Sequence, residues 1–207
     1  MTEHIRRAAV SPRVAWVAPV TSTGRARFPA AQASWQSLGV SALEYCDIDE
    51  EADESQLVRL HEYDVIYLTG GEPLGFLQNI RRRGVSARLL DCLAADRLVI
   101  AASGGAMQLT TNVSLFRLLS SSVDEVVAER DEYHALGIVE YEMLPHLNRH
   151  PPPFIEKVER YSARVAHDII ALEDGAALVH AKDGAYSCLG RAVRFRGGTH
   201  TAFEATA

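Results

Sequence analysis

Residues 98–109, LVIAASGGAMQL, decide how the chain is read. Leu98, Val99, Ile100 and Ala101 form a short apolar run that suits a buried parallel strand, and Met107, Gln108 and Leu109 suit a helix. Between them stand Ser103, Gly104, Gly105 and Ala106. A strand that turns into a helix through one hydroxyl residue with small neighbours meets the demands of a nucleophile elbow. The turn is tight and strained, so a bulky neighbour would clash. Amide groups at the start of the new helix would point to where an oxyanion forms. The same residues also fit an ordinary strand-to-helix turn in which Ser103 only caps the helix.

Working outward, residues 13–18 (RVAWVA), 41–46 and 64–69 (DVIYLT) read as three further strands. Residues 29–38 suit a helix stopped by Gly39, leaving 19–27 as a loop. Residues 74–83 and 86–95 suit a helix pair broken at Gly84, with Pro73 in its first turn. Strands alternating with helices at this spacing give an α/β fold, a parallel sheet with helices on both faces. In such sheets sites lie beyond the carboxyl ends of the strands, here 21–27, 70–72 and 103–105. The second half is less regular. Residues 120–134 are polar and acidic, 137–142 read as a strand, and 154–165 as an amphipathic helix with Phe154, Val158, Tyr161 and Val165 on one face. Strands at 168–172 and 176–181, a hairpin at 184–195 and a frayed tail after Gly197 complete the expectation, a single domain over 1–207 with its core at 13–196.

Composition narrows the function. A length of 207 residues, 47% hydrophobic and 23% charged, fits a globular domain with a full core. A net charge of −6 argues against nucleic acid as a partner. The one basic run, Arg81 to Arg83, ends a helix, where cations favour the dipole. Cys46, Cys92 and Cys188 have no CxxC spacing, which suits reduced thiols and a cytoplasmic location. No apolar run reaches membrane-spanning length and no leader is visible, so no membrane partner is expected.

His146 follows a strand and Pro145 and reads as a loop residue at a strand end. It suits the general base of a serine nucleophile if a carboxylate holds its other nitrogen; a packed or surface side chain is the plainer reading. Glu173, Asp174 and Asp124 are the candidate carboxylates. His150 gives His-x3-His spacing, but the three prolines after it oppose a helical ligand pair, so no metal is expected.

Four segments, in order, resemble the dipeptidase E and cyanophycinase family of serine peptidases, on the class I glutamine amidotransferase-like fold. Residues 67–72, YLTGGE, are similar to its strand and Gly-Gly-amide turn, and residues 102–106, ASGGA, to its elbow. Residues 136–146 are similar to its Leu-Gly strand and histidine, and residues 170–178, IALEDGAAL, to its acidic turn. The resemblance implies a three-layer sandwich with a mostly parallel central sheet. It also implies Ser103 as nucleophile, His146 as base, and Gly71 and Gly104 as oxyanion donors. The acid would be Asp174 by the cyanophycinase pattern, with Glu173 one residue away, or Asp124 by the dipeptidase E pattern. Gly104 replaces the usual alanine and Glu72 an amide. Glu72 would either repel an acidic substrate or face solvent. A cysteine elbow, as in the amidotransferases proper, is absent.

The expected function is therefore a serine hydrolase, a peptidase cleaving small peptides, with N-terminal aspartyl dipeptides implied first and no cofactor. Selecting an acidic residue requires a cation, and Arg149, Arg25 and Arg27 are the candidates. Two alternatives stay open: a non-catalytic sensor or interaction domain on the same fold, and an esterase or amidase. A homodimer is also left open.

Overall fold

The computed structural model describes residues 2–181 and 185–203. The chain divides into two compact units, one up to Ala106 and one from Met107 onward. The first unit runs α1 (Thr2–Ala8), β1 (Arg13–Ala18), α2 (Thr21–Ser37), β2 (Ala42–Asp47), α3 (Glu54–Val58), β3 (Val65–Leu68), α4 (Pro73–Arg82), α5 (Val85–Ala94), β4 (Leu98–Ala101) and the start of α6 (Gly104–Met107). Its four strands are all parallel, in the order β2-β1-β3-β4. This is the expected α/β arrangement. Strand β1 is central, and Val14 to Ala18 are buried although alternate side chains face opposite sides. Val14, Trp16 and Ala18 share one core with Ile5 of α1 and Trp35 of α2.

Helix α2 begins eight residues before the expected start at Pro29, so 21–27 is helix and not a rim loop. Its first turn is capped from outside. The Thr21 amide donates to Asp49 and the Thr21 hydroxyl to Asp47, both beyond or at the end of β2. Gly24 lets that turn close on the sheet, since a Cβ there would meet Tyr45 and Ala18. Local sequence carries no trace of a cap supplied from 26 residues away. The basic run ending α4 joins the same loop: Arg82 pairs with Asp49 and Arg83 with Glu54.

The second unit contains α7 (Val123–Ala128), β5 (Tyr141–Leu144), α8 (Pro152–Ser162), β6 (Asp168–Leu172), β7 (Ala177–His180), β8 (Tyr186–Leu189), β9 (Ala192–Arg196) and β10 (Thr199–Phe203). Strands β10-β9-β6-β5 form one sheet, with only β5 and β6 parallel, and β7-β8 form a separate pair. Phe154, Val158 and Tyr161 of α8 pack on Leu144, Ile169, Ala171 and Phe195, as their helical spacing predicts. Val165 lies past the end of α8 and packs there only in part.

Three expectations for this half change. Residues 137–140 are not strand: Gly137 has φ +64°, and the amides of 136–139 bond to the carbonyls of 108–110 and not to a ladder. Residues after Gly197 do not fray at once. Gly197 and Gly198, both at positive φ, make the two-residue reversal that returns the chain as β10, pairing Arg196 with Thr199. The expected hairpin at 184–195 divides between two sheets, β8 in one and β9 in the other, and Gly184 lies outside the described residues. Among the described residues no helix is long and apolar enough to cross a membrane.

Candidate active site

Ser103 lies between β4 and α6 with φ +48°, one of three non-glycine residues at positive φ among the described residues. An L-residue adopts this conformation only where the surroundings enforce it. The enforcement is visible in its neighbours. A Cβ on Gly105 would collide with the carbonyls of Leu68 and Thr69 at the end of β3, and one on Gly104 with the carbonyl of Gly71. Gly71 in turn lies against Pro19, since a Cβ there would fall 2.7 Å from its ring. Pro19 is held by Asn79, whose amide donates to its carbonyl at 2.8 Å. The loops after β3 and β4 therefore meet backbone to backbone at the carboxyl edge of the sheet, and the loop after β1 closes on them through the Pro19 ring. Alanine at position 104 would not fit beside Gly71.

Glu72 is exposed at the start of α4. Its carboxylate caps α4, accepting the amides of Leu74 at 3.0 Å and Gly75 at 2.6 Å. Arg25 lies in α2, paired with Glu51 and set over the Tyr45 ring.

In the second unit, β5 ends at Leu144 and His146 follows in the left-handed conformation, at φ +60° and ψ +37°. A 3-10 turn, Leu147–Arg149, begins there, closed by the Arg149 amide on the His146 carbonyl at 2.8 Å. His146 Nδ1 lies 2.6 Å from Asp174 Oδ1. Asp174 occupies the turn between β6 and β7, ahead of Gly175 at φ +86°. Bonds from His146, Arg149 and Asn148 hold the Asp174 carboxyl down at about 2, with His146 the largest influence. A carboxylate at that value is acceptor-only near neutral pH, so the proton of the shared bond belongs to Nδ1.

The other two carboxylates are engaged elsewhere. Glu173 pairs with Arg191, and Asp124, on α7, pairs with Arg164. His150 donates through Nε2 to the Pro145 carbonyl, 3.1 Å away, and stacks on Phe154; burial pulls its pKa down. Among the described residues no cluster of His, Cys, Asp and Glu could hold a metal ion. Arg149 donates to Asp174 Oδ2 through Nε while its side chain stays 66% exposed. The bonds from Asn148 and Arg149 to Asp174 were not foreseen, although both residues stand in the loop beside His146.

Residues 10–187, which contain the elbow, His146 and Asp174, match Peptidase family S51. The chain belongs to this family. Curated relatives are named as uncharacterized peptidases: one from Listeria monocytogenes is 33% identical over 116 residues, 56% of this chain and 55% of that protein. One from Pasteurella multocida is 28% identical over 102 residues, 49% and 47% of the two chains. The chain thus spans about half the length of the curated relatives it matches. Two solved structures share the fold. A candidate peptidase E from Listeria monocytogenes has a TM-score of 0.65 at 22% identity, covering 100% of this chain and 94% of that one. A peptidase from an acI-B1 Actinobacterium has a TM-score of 0.72 at 18% identity, covering 94% and 81%.

Proposed function

We propose that this S51 member is a serine peptidase acting on small peptides, with Ser103 as nucleophile, His146 as general base and Asp174 as its orienting acid. The observation that carries the reading is the left-handed backbone of Ser103 on a turn where only glycines fit next to it. A serine that merely capped a helix would need no such strain. Ser103 Oγ attacks the scissile carbonyl, and His146 Nε2 takes its proton. The Asp174 carboxylate keeps the imidazole in that tautomer and stabilises the imidazolium that forms. The amides of Gly71 and Gly104 face the oxyanion. The proton then passes to the leaving amine, and water hydrolyses the acyl-enzyme by the reverse route.

The proposed substrates are peptides with an acidic N-terminal residue, read by the exposed Arg149, and the proposed location is the cytoplasm, where thiols such as Cys46 and Cys92 stay reduced. Ser103→Ala should lower kcat by about a millionfold, the scale for a lost triad serine, and abolish labelling by a fluorophosphonate. Thermal stability should hardly move. Residual activity within tenfold of wild type would remove Ser103 from the mechanism.

A further inference from the structure

We infer that Asn148 is a positioning residue that fixes the carboxylate of Asp174 for His146. Its amide makes a two-point contact with one residue. Oδ1 accepts the Asp174 backbone N–H at 2.9 Å, and Nδ2 donates to Asp174 Oδ2 at 3.3 Å. Chemistry sets the orientation of that amide. The backbone N–H can only donate and the carboxylate only accept, so a flipped amide would face a donor with a donor and an acceptor with an acceptor. Asparagine is the short side chain that offers both groups at this spacing; aspartate would set a second carboxylate against the first.

The consequence falls on the acid's two oxygens. Asn148 and Arg149 both donate to Oδ2, which reserves Oδ1 for His146 Nδ1. With the Asp174 amide also held, the carboxylate plane is fixed at three points on a turn that would otherwise rely on Gly175 and on the Ala176-to-Glu173 backbone bond. The 3-10 turn that carries Asn148 starts at His146 itself, so the base and the group that aims its acid move as one piece. Asn148 is exposed. It buries no apolar surface, so its substitution should leave stability nearly intact.

This inference rests on the triad proposed above, and the test separates the two. Wild type, Asn148→Ala and Asn148→Asp are compared for kcat, KM and the rate of labelling by a fluorophosphonate, with Tm as the check on folding. A displaced orienting group of this kind lowers rates by roughly tenfold to a hundredfold. We expect that loss in kcat and in labelling rate for Asn148→Ala, with KM and Tm nearly unchanged. Asn148→Asp should lose more, and its added negative charge beside Asp174 should move the acid limb of the pH–rate profile to higher pH. The titratable and charged groups facing Asp174 in wild type are His146 and Arg149, with the Glu173–Arg191 pair alongside. If both variants label and turn over at the wild-type rate, the positioning role is wrong while the triad stands. If wild type itself neither labels nor hydrolyses any peptide, the triad reading fails first.

Discussion

Two of the histidine–carboxylate pairs in the second unit, His146–Asp174 and His167–Glu142, have opposite characters. His146 meets Asp174 on loops, with side chains 38% and 32% exposed. His167 meets Glu142 inside, and the Glu142 side chain is fully buried. Glu142 Oε1 alone receives Arg130, Tyr161 and His167 at 2.8–3.0 Å, and Tyr161 is joined in turn by Ser114. The difference lies in which nitrogen faces the acid. His146 uses Nδ1, whereas His167 turns Nε2 inward, within 3.2 Å of Arg130 as well. An imidazole held by its distal nitrogen cannot present that nitrogen to a hydroxyl. The backbone agrees: His146 is held in a left-handed conformation, while Glu142 sits in a regular strand. The first pair lies on two partly exposed loops, and the second neutralises a buried charge.

The largest effects should separate the pairs cleanly. Asp174→Asn should lower kcat by about ten-thousandfold, the scale for losing the orienter of a triad histidine, with little change in Tm. Glu142→Gln should do the reverse. Removing one partner from a buried ion pair leaves Arg130 uncompensated at a cost of about 3–5 kcal/mol, a fall in Tm on the order of 10 °C, while the folded fraction keeps its kcat. Asp124→Asn and Glu173→Gln are the controls, since each acid pairs with an arginine and not with His146; both should stay within a few-fold of wild type. If Glu142→Gln proves stable and inactive, or Asp124→Asn matches Asp174→Asn, the contrast between the pairs is false.

How much of this was legible in the sequence depends on the range of the forces involved. Strands β1, β3 and β4 and the turn after β4 were readable because each strand is an apolar run closed by small or turn-forming residues, a signal within a dozen positions. Asp174 was visible only as one of three acids. Its choice rests on a bond to a histidine 28 residues earlier, and no local pattern encodes that separation. The early start of α2 was hidden for the same reason, because its cap comes from Asp47 and Asp49. Strand β10 is a different case. Its Gly-Gly reversal was a local signal, but Thr199 to Phe203 is exposed at four of five positions and polar at three, so it lacks the apolar face by which strands are recognised. The Glu142–His167 pair was missed because a buried carboxylate in a strand reads, by alternation, as a solvent-facing residue.

Arg149 offers an effect of intermediate size that sharpens the contrast, since it bonds the acid and is proposed to read the substrate. Arg149→Met removes both contributions. For a neutral dipeptide, only the bond to Asp174 is lost, and kcat should fall by up to about tenfold with KM steady, because Asn148 still holds Oδ2. For an Asp-X dipeptide, KM should rise by a further tenfold or more, the order expected for a charge-assisted hydrogen bond. The ratio of the two kcat/KM losses is the measurement that matters. Equal losses would leave Arg149 as a partner of Asp174 alone and remove the preference for an acidic N-terminal residue.

The smallest expected effect concerns pH and stability. The Asp174 carboxyl is lowered from 3.8 to about 2 by its bonds to His146, Arg149 and Asn148. A carboxyl whose folded value lies below its unfolded one binds its proton more readily in the unfolded chain. Its contribution to stability is therefore complete above about pH 4 and is lost as the pH falls through the interval down to about 2. Other acids with lowered values, among them Glu44, Asp53 and Glu125, melt with the same sign. Subtraction against Asp174→Asn, which carries all of them, isolates the one group. Because the pair is partly exposed and screened, the difference in Tm should amount to a few degrees at most at pH 6. It should shrink steadily below pH 4 and vanish only once the pH is well below about 2, where the wild-type carboxyl is protonated and as neutral as the amide. A difference that stays constant across that range would mean the His146–Asp174 bond does not persist in solution, and with it would go the distinction between a working pair at the surface and a structural pair within.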